Sequence, residues 1–148
     1  MKNKKNIAIL LVIAMITTTV FGLSFSSSLK GEWGYMEDGL VIEAFSFNNG
    51  KFIHSSFVLF GYLTVKGNYK EKDGIVELTP LEIFDHEKEK WEPIEEDDYK
   101  YVEPTYRIKY VPIGEDILEF VGTTWGEDEP LKFKTGSFMD KIQEAFYW

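Results

Sequence analysis

A chain of 148 residues that is 44% hydrophobic and 16% aromatic carries enough apolar surface for one globular core, which argues against disorder over most of its length. Its formal net charge of −9 repels phosphate backbones and anionic lipid heads, so neither nucleic acid nor a membrane surface is an expected partner. The absence of cysteine excludes disulfides, thiol nucleophiles, thiolate-bound zinc and the acylated cysteine of a bacterial lipoprotein.

Residues 1–22 read as a secretory signal peptide. Lys2, Lys4 and Lys5 form a positive start, Ile7–Ile16 is an apolar run, and Thr17–Thr19 lowers the apolarity before the small residues Gly22 and Ser24. Cleavage is expected between residues 22 and 26. The apolar run is shorter than the roughly 20 residues of a spanning helix, so a removed signal is favoured over a retained anchor. The expected location is secreted or periplasmic, with no stable membrane span after signal removal. Residues 23–148 then form a single domain. Losing three lysines and no acid makes the mature chain still more acidic.

Short β-type runs separated by turn signals follow, which predicts an all-β domain. The first strand spans Leu29–Met36 and ends at Asp38-Gly39. The second spans Leu40–Phe47, and Asn49-Gly50 supplies the left-handed residues of a tight hairpin. Lys51–Phe60 is the third, and Gly61 bends into Tyr62–Lys70. Asp73-Gly74 marks the next turn, and Ile75–Phe84 contains Pro80 at a strand end or bulge. Asp85–Glu103 is dense in acids and reads as a solvated excursion over a barrel mouth, dispensable for folding. Thr105–Val111, Ile117–Thr124 and Leu131–Lys134 complete the strands, with turns at Pro112–Asp116 and Gly126–Pro130.

Alternation assigns faces. Tyr106, Ile108 and Tyr110 oppose Arg107 and Lys109. Leu118 and Phe120 flank Glu119, and Val76 and Leu78 flank Glu77. Glu43 and Glu77 are assigned outward. At the C-terminus, Ser137 and Asp140 make a capping-box variant ahead of a short helix, whose apolar stripe is Phe138, Ile142, Ala145 and Phe146. That helix is expected across the barrel wall or over one mouth.

Leu29-Lys-Gly31-Glu-Trp33 opens the β-domain. Phe45-Ser-Phe47-Asn-Asn-Gly50-Lys-Phe52 continues it, and then Gly61-Tyr62-Leu-Thr-Val65-Lys-Gly67-Asn68 and Ile75-Val-Glu-Leu78. Over residues 29–80 this series resembles the small bacterial lipocalin-like (calycin-type) domains. The resemblance implies an antiparallel up-and-down β-barrel with a short C-terminal helix. It gives Gly31 and Trp33 a structural role at the barrel's closed end. Typical lipocalins stack an Arg on that Trp, whereas Arg107 here lies mid-strand on the outward face. For Trp33, simple core packing is the equally weighted alternative.

A barrel of about eight strands either holds one small apolar ligand or is filled by its own side chains. Its ligand-binding interior candidates are Phe45, Phe47, Tyr62, Tyr106, Tyr110 and Phe120. A continuous cavity of about 300 Å3 or more points to a ligand carrier. A filled barrel with an aromatic-acidic surface (Trp91, Tyr99, Tyr101) points to a protein-interaction or inhibitor module.

No catalytic, metal or cofactor motif is found. His86, within the excursion, lacks zinc-ligand spacing and reads as a solvated loop residue. His54 and Ser55 are adjacent on a strand and so face opposite ways, which yields no triad. A hydrolytic enzyme is therefore the least favoured of the three readings. The expected partners are a small apolar ligand or a protein. N-terminal sequencing of the exported protein is expected to give a start between Leu23 and Ser27; a start at Met1 would overturn the export reading.

Overall fold

Strands with an apolar face must close or stack to hide it, and here they close. The computed structural model describes residues 29–59, 61–114, 116–122 and 131–146. The signal peptide assigned to residues 1–22, its cleavage region through residue 26, and the turn at 126–130 lie outside the described residues. In chain order the strands are β1 (Gly31–Glu37), β2 (Leu40–Asn48), β3 (Lys51–Val58), β4 (Gly61–Lys72), β5 (Ile75–Asp85), β6 (Lys90–Pro93), β7 (Tyr106–Pro112), β8 (Ile117–Gly122) and β9 (Leu131–Thr135). A helix, α1 (Met139–Phe146), follows them. Among the described residues, no helix is long and apolar enough to cross a membrane.

Eight strands form a closed antiparallel barrel in the order β1-β2-β3-β4-β5-β7-β8-β9, and β9 pairs back onto β1. The topology is up-and-down, as the hairpin signals predict. Asp38-Gly39, Asn49-Gly50 and Asp73-Gly74 each carry two positive φ angles (49° and 84°, 49° and 74°, 55° and 75°). Those are the values a type I′ hairpin requires.

Pro80 does not end its strand. β5 runs through it, and the pairing slips from Gly67↔Pro80 to Lys66↔Glu82, which leaves Leu81 as the extra residue of a bulge. A Cβ on Gly67 would lie 2.0 Å from the Thr79 carbonyl oxygen, so only glycine allows β4 to approach β5 this closely.

The Asp85–Glu103 excursion is more structured than its composition suggests. One edge of β5 meets β7 over Ile75–Leu78 and β6 over Glu82–Asp85. The chain between β6 and β7 leaves the wall and returns, passing through a 3-10 turn at Glu96–Lys100. Val102 is 5% exposed within the interior cluster, and Ile94 packs against it. Sequence reading missed this because acids surround both residues and mask a strand of only four.

The barrel interior is filled with aromatic rings. Phe45, Phe47, Phe120 and Phe133 are at most 1% exposed. Phe45 lies 5.6 Å from Phe120 and 5.7 Å from Phe133, and Phe120 meets Phe133 edge-on at 4.5 Å. Trp33 belongs to the same cluster, and its indole N–H donates to the Leu29 carbonyl at 2.8 Å. Arg107 points away from the interior, as expected, and donates to Glu77 across the strand pair.

A second apolar cluster lies outside the barrel. Phe138, just ahead of α1, and Ile142 within it cover Val41, Ala44 and Tyr62 on the wall. Phe138 sits against Gly34, where any Cβ would collide with its ring. Ser137 bonds Asp140 side chain to side chain, and the free backbone N–H groups of Phe138 and Met139 donate instead to the Glu32 carboxylate of β1. A carboxylate at a helix N-terminus also meets the positive end of the helix dipole. The expected stripe holds for Phe138 and Ile142, whereas Ala145 is exposed.

Replacing Trp33 with Ala removes a buried indole and its hydrogen bond, with an expected loss of about 3–5 kcal/mol in denaturant unfolding. A loss below about 1 kcal/mol would show that the indole does not support the interior.

Candidate functional site

The starts of β2, β4 and β7 and the ends of β3 and β5 meet at one end of the barrel, because neighbouring strands of the wall are antiparallel. A pocket of about 270 Å3 opens there. Val58, Leu63, Val65 and Val102 supply apolar walls, and Glu43, His54, Ser56 and Tyr106 supply polar groups. Tyr101 and Glu103, from the end of the excursion, complete the rim.

The polar groups form one network. Register places Glu43 opposite Ser56, and Phe45 opposite His54. Residues 43, 45 and 47 share the inward face of β2, and 52, 54 and 56 share that of β3. The His54 ring lies flat on Phe45, with centroids 4.1 Å apart and planes 9° apart. Its Nε2 meets Glu43 Oε2 at 2.5 Å, and its Nδ1 meets the Tyr106 hydroxyl at 2.8 Å. Ser56 Oγ donates to Glu43 Oε1 at 2.5 Å.

Burial dictates this arrangement. Glu43 is 5% exposed, and a carboxylate removed from water is tolerated only when donors replace its hydration. Ser56 and His54 each supply one donor to it. Because Glu43 accepts from Nε2, a neutral His54 is left with Nδ1 as an acceptor, and the Tyr106 O–H fills it. Burial pushes the Tyr106 phenol well above the ordinary 10.0, and the charges of Glu43 and Glu103 push it further the same way.

The expected ligand-binding residues divide sharply. Tyr106 lines the pocket. Phe45, Phe47 and Phe120 are packed core below it, and Tyr110 is buried in the same cluster with its hydroxyl bonded to Glu71. Tyr62 is not in the interior. It lies on the outer wall beneath α1, where its hydroxyl donates to the Val41 carbonyl at 2.9 Å. Burial there raises its pKa as well.

Glu43, expected outward, faces inward and anchors the site. Both faces of β2 are buried, by the interior on one side and by α1 on the other, so apolarity could not tell inside from outside. One signal was legible: Glu43 shares its parity with Phe45 and Phe47. His54 and Ser55 do face opposite ways, and Ser55 bonds Thr64 at 2.8 Å on the outer side. His54 and Ser56, two apart, share the inner side, and Ser56 bonds Glu43 without bonding the imidazole.

His86 is held in place, contrary to the expectation of a solvated loop. Its Nε2 donates to the Tyr62 carbonyl at 3.0 Å and its ring meets Phe84 edge-on. Trp91 is half-buried, packed on Phe84 and beneath the Lys66 ammonium, whereas Tyr99 and Tyr101 are exposed. Among the described residues, no group of three or more imidazoles and carboxylates converges as a metal site would require.

No protein-family model and no curated protein matches the chain. Among solved structures it is similar to a lipocalin-like protein from Bacteroides uniformis, with 16% identity and a TM-score of 0.49, over 74% of this chain and 100% of that one. It is also similar to an uncharacterized protein from Bacteroides eggerthii, with 17% identity and a TM-score of 0.46, over 73% of this chain and 99% of that one.

The raised Tyr106 pKa has a sign. Its contribution to stability is fully present below the ordinary tyrosine value of 10.0 and is lost as pH rises from there through the higher folded value. A tyrosinate absorbance titration is expected to show a late phase, shared with the buried Tyr62, whose amplitude Tyr106→Phe reduces. A titration unchanged by the substitution would mean that this phenol ionises with the exposed ones.

Proposed function

We propose that this chain is a binding protein that holds one small, partly apolar ligand at the barrel mouth. The observation that carries the reading is the mouth pocket itself, in which a buried Glu43–His54–Tyr106 network lies beside the apolar walls Val58, Leu63, Val65 and Val102. Concave sites with apolar walls and a few fixed polar groups are the usual form of small-molecule sites. The interior below is filled, so the continuous cavity of about 300 Å3 expected of a carrier barrel is not what supports this reading; the mouth pocket of about 270 Å3 does, and it confines the ligand to a smaller size than a hollow barrel would take.

Binding is favoured over catalysis. His54 bridges Glu43 and the Tyr106 hydroxyl as the base of a triad would, but that hydroxyl is buried and its pKa is pushed up, the opposite of what activates a nucleophile. The proposed location is outside the cytoplasm, secreted or periplasmic, on the strength of the N-terminal pattern. A second reading, a protein-binding rim, is supported by exposed apolar residues at the same end: Leu59 is 88% exposed, Tyr101 69% and Val58 43%.

Native mass spectrometry of the protein purified from its own host tests the proposal. A retained mass of a few hundred daltons, lost in Leu63→Trp, is expected. Protein that emerges free of any small molecule yet pulls down one defined protein partner through Tyr101 and Leu59 would favour the rim instead.

A further inference from the structure

The charge of the mouth restricts what it can hold. Among the described residues that line it, Glu43 and Glu103 are acids, and neither lysine nor arginine is present. Hydrogen placement points the same way. Ser56 gives its proton to Glu43, and in the neutral tautomer that gives Nε2–H to Glu43, His54 takes the Tyr106 proton at Nδ1. The polar groups around the pocket are thus engaged as donors among themselves and face a visitor chiefly with oxygen lone pairs. The field of both acids is felt within the site, since each opposes ionisation of Tyr106.

We propose that the ligand of this pocket is an organic cation: an ammonium head set among Glu43, Glu103 and Tyr106, with a short apolar tail against Val58, Leu63, Val65 and Val102. This rests on the small-ligand reading above and names its chemical class. An ammonium brings donors and positive charge to a site that offers acceptors and negative charge. A carboxylate or phosphate of the same size meets two acids without a counter-charge, and that repulsion is a means of selection. Glu103 is exposed and so contributes modestly, through a screened interaction. Glu43 is buried, where charge is felt more strongly.

The test uses the full exported chain and three probes with the same tail: hexylammonium, hexan-1-ol and hexanoate, titrated by calorimetry and by amide shifts at residues 101–103, 105 and 106. Hexylammonium is expected to bind about tenfold more tightly than hexanol, with hexanoate weaker than both. Glu103→Gln is chosen because an exposed side chain is not needed for folding. It is expected to lower the ammonium-to-alcohol affinity ratio by about threefold, in line with a screened surface charge. Raising the salt concentration should lower that ratio in the unaltered protein too. If hexanol or hexanoate binds as tightly as hexylammonium, the mouth is a small-ligand site but not a cation site, and this inference falls alone. If none of the three binds, it falls together with the small-ligand reading.

Discussion

The ring of Phe45 is the point on which the remaining structure depends. It stands at the centre of the barrel, stacked near-parallel to Phe47 at 5.5 Å, tilted against Phe120 and Phe133, and lying flat beneath the His54 imidazole. A close-packed interior has no room for a second occupant, so the rings that stabilise the barrel also shut it below the mouth. The same ring fixes the plane of His54 and so aims its two nitrogens at Glu43 and Tyr106. Core packing and site geometry are therefore one arrangement: a smaller residue at 45 would hollow the barrel and release the imidazole together.

A buried carboxylate is a costly element in so small a domain, and it is weak evidence for stability. Glu43 is tolerated because β2 and β3 bring Ser56 and His54 to its two oxygens by register alone. Replacing the trio with apolar residues of similar size would be expected to keep or improve the fold. The polar network is thus better understood as serving the pocket than the barrel. Glu43, His54 and Ser56 come from one hairpin, but Tyr106 lies 52 residues beyond His54, so completing the network requires that β7 already be in place with β2 and β3.

The outer wall shows a different economy. Most of a small barrel's outer surface is wet, but β2 and β4 bury their outer faces under α1, with Glu32 of β1 supplying the helix's first hydrogen bonds. Gly34 makes this docking close, because the Phe138 ring occupies the space a Cβ would need. The β5–β6 hairpin adds a further layer nearby, with His86 bonded to the carbonyl of Tyr62. The helix and the hairpin turn part of the barrel into a wall buried on both sides.

The sequence by itself determined the class, the order of the eight wall strands and the three glycine-containing hairpin turns, because these rest on local chemistry. Asn-Gly and Asp-Gly pairs fix hairpins through positive φ, and adjacent hairpins compel an up-and-down order. It also determined that Tyr106, Ile108, Tyr110, Leu118 and Phe120 are buried, because their partners across the pleat are charged or wet. Tertiary structure decided which face of β2 and β4 is the interior, since a helix from the far end of the chain covers the other one. That is why Tyr62 was assigned inward and Glu43 outward. It also decided that the interior is filled, because whether large rings line a cavity or consume it depends on their angles and stagger, which alternation does not encode. The site is divided between the two: the Asn49-Gly50 hairpin sets Glu43 opposite Ser56 and Phe45 opposite His54, whereas Tyr106 reaches His54 only when the barrel closes, a contact that no spacing along the chain announces.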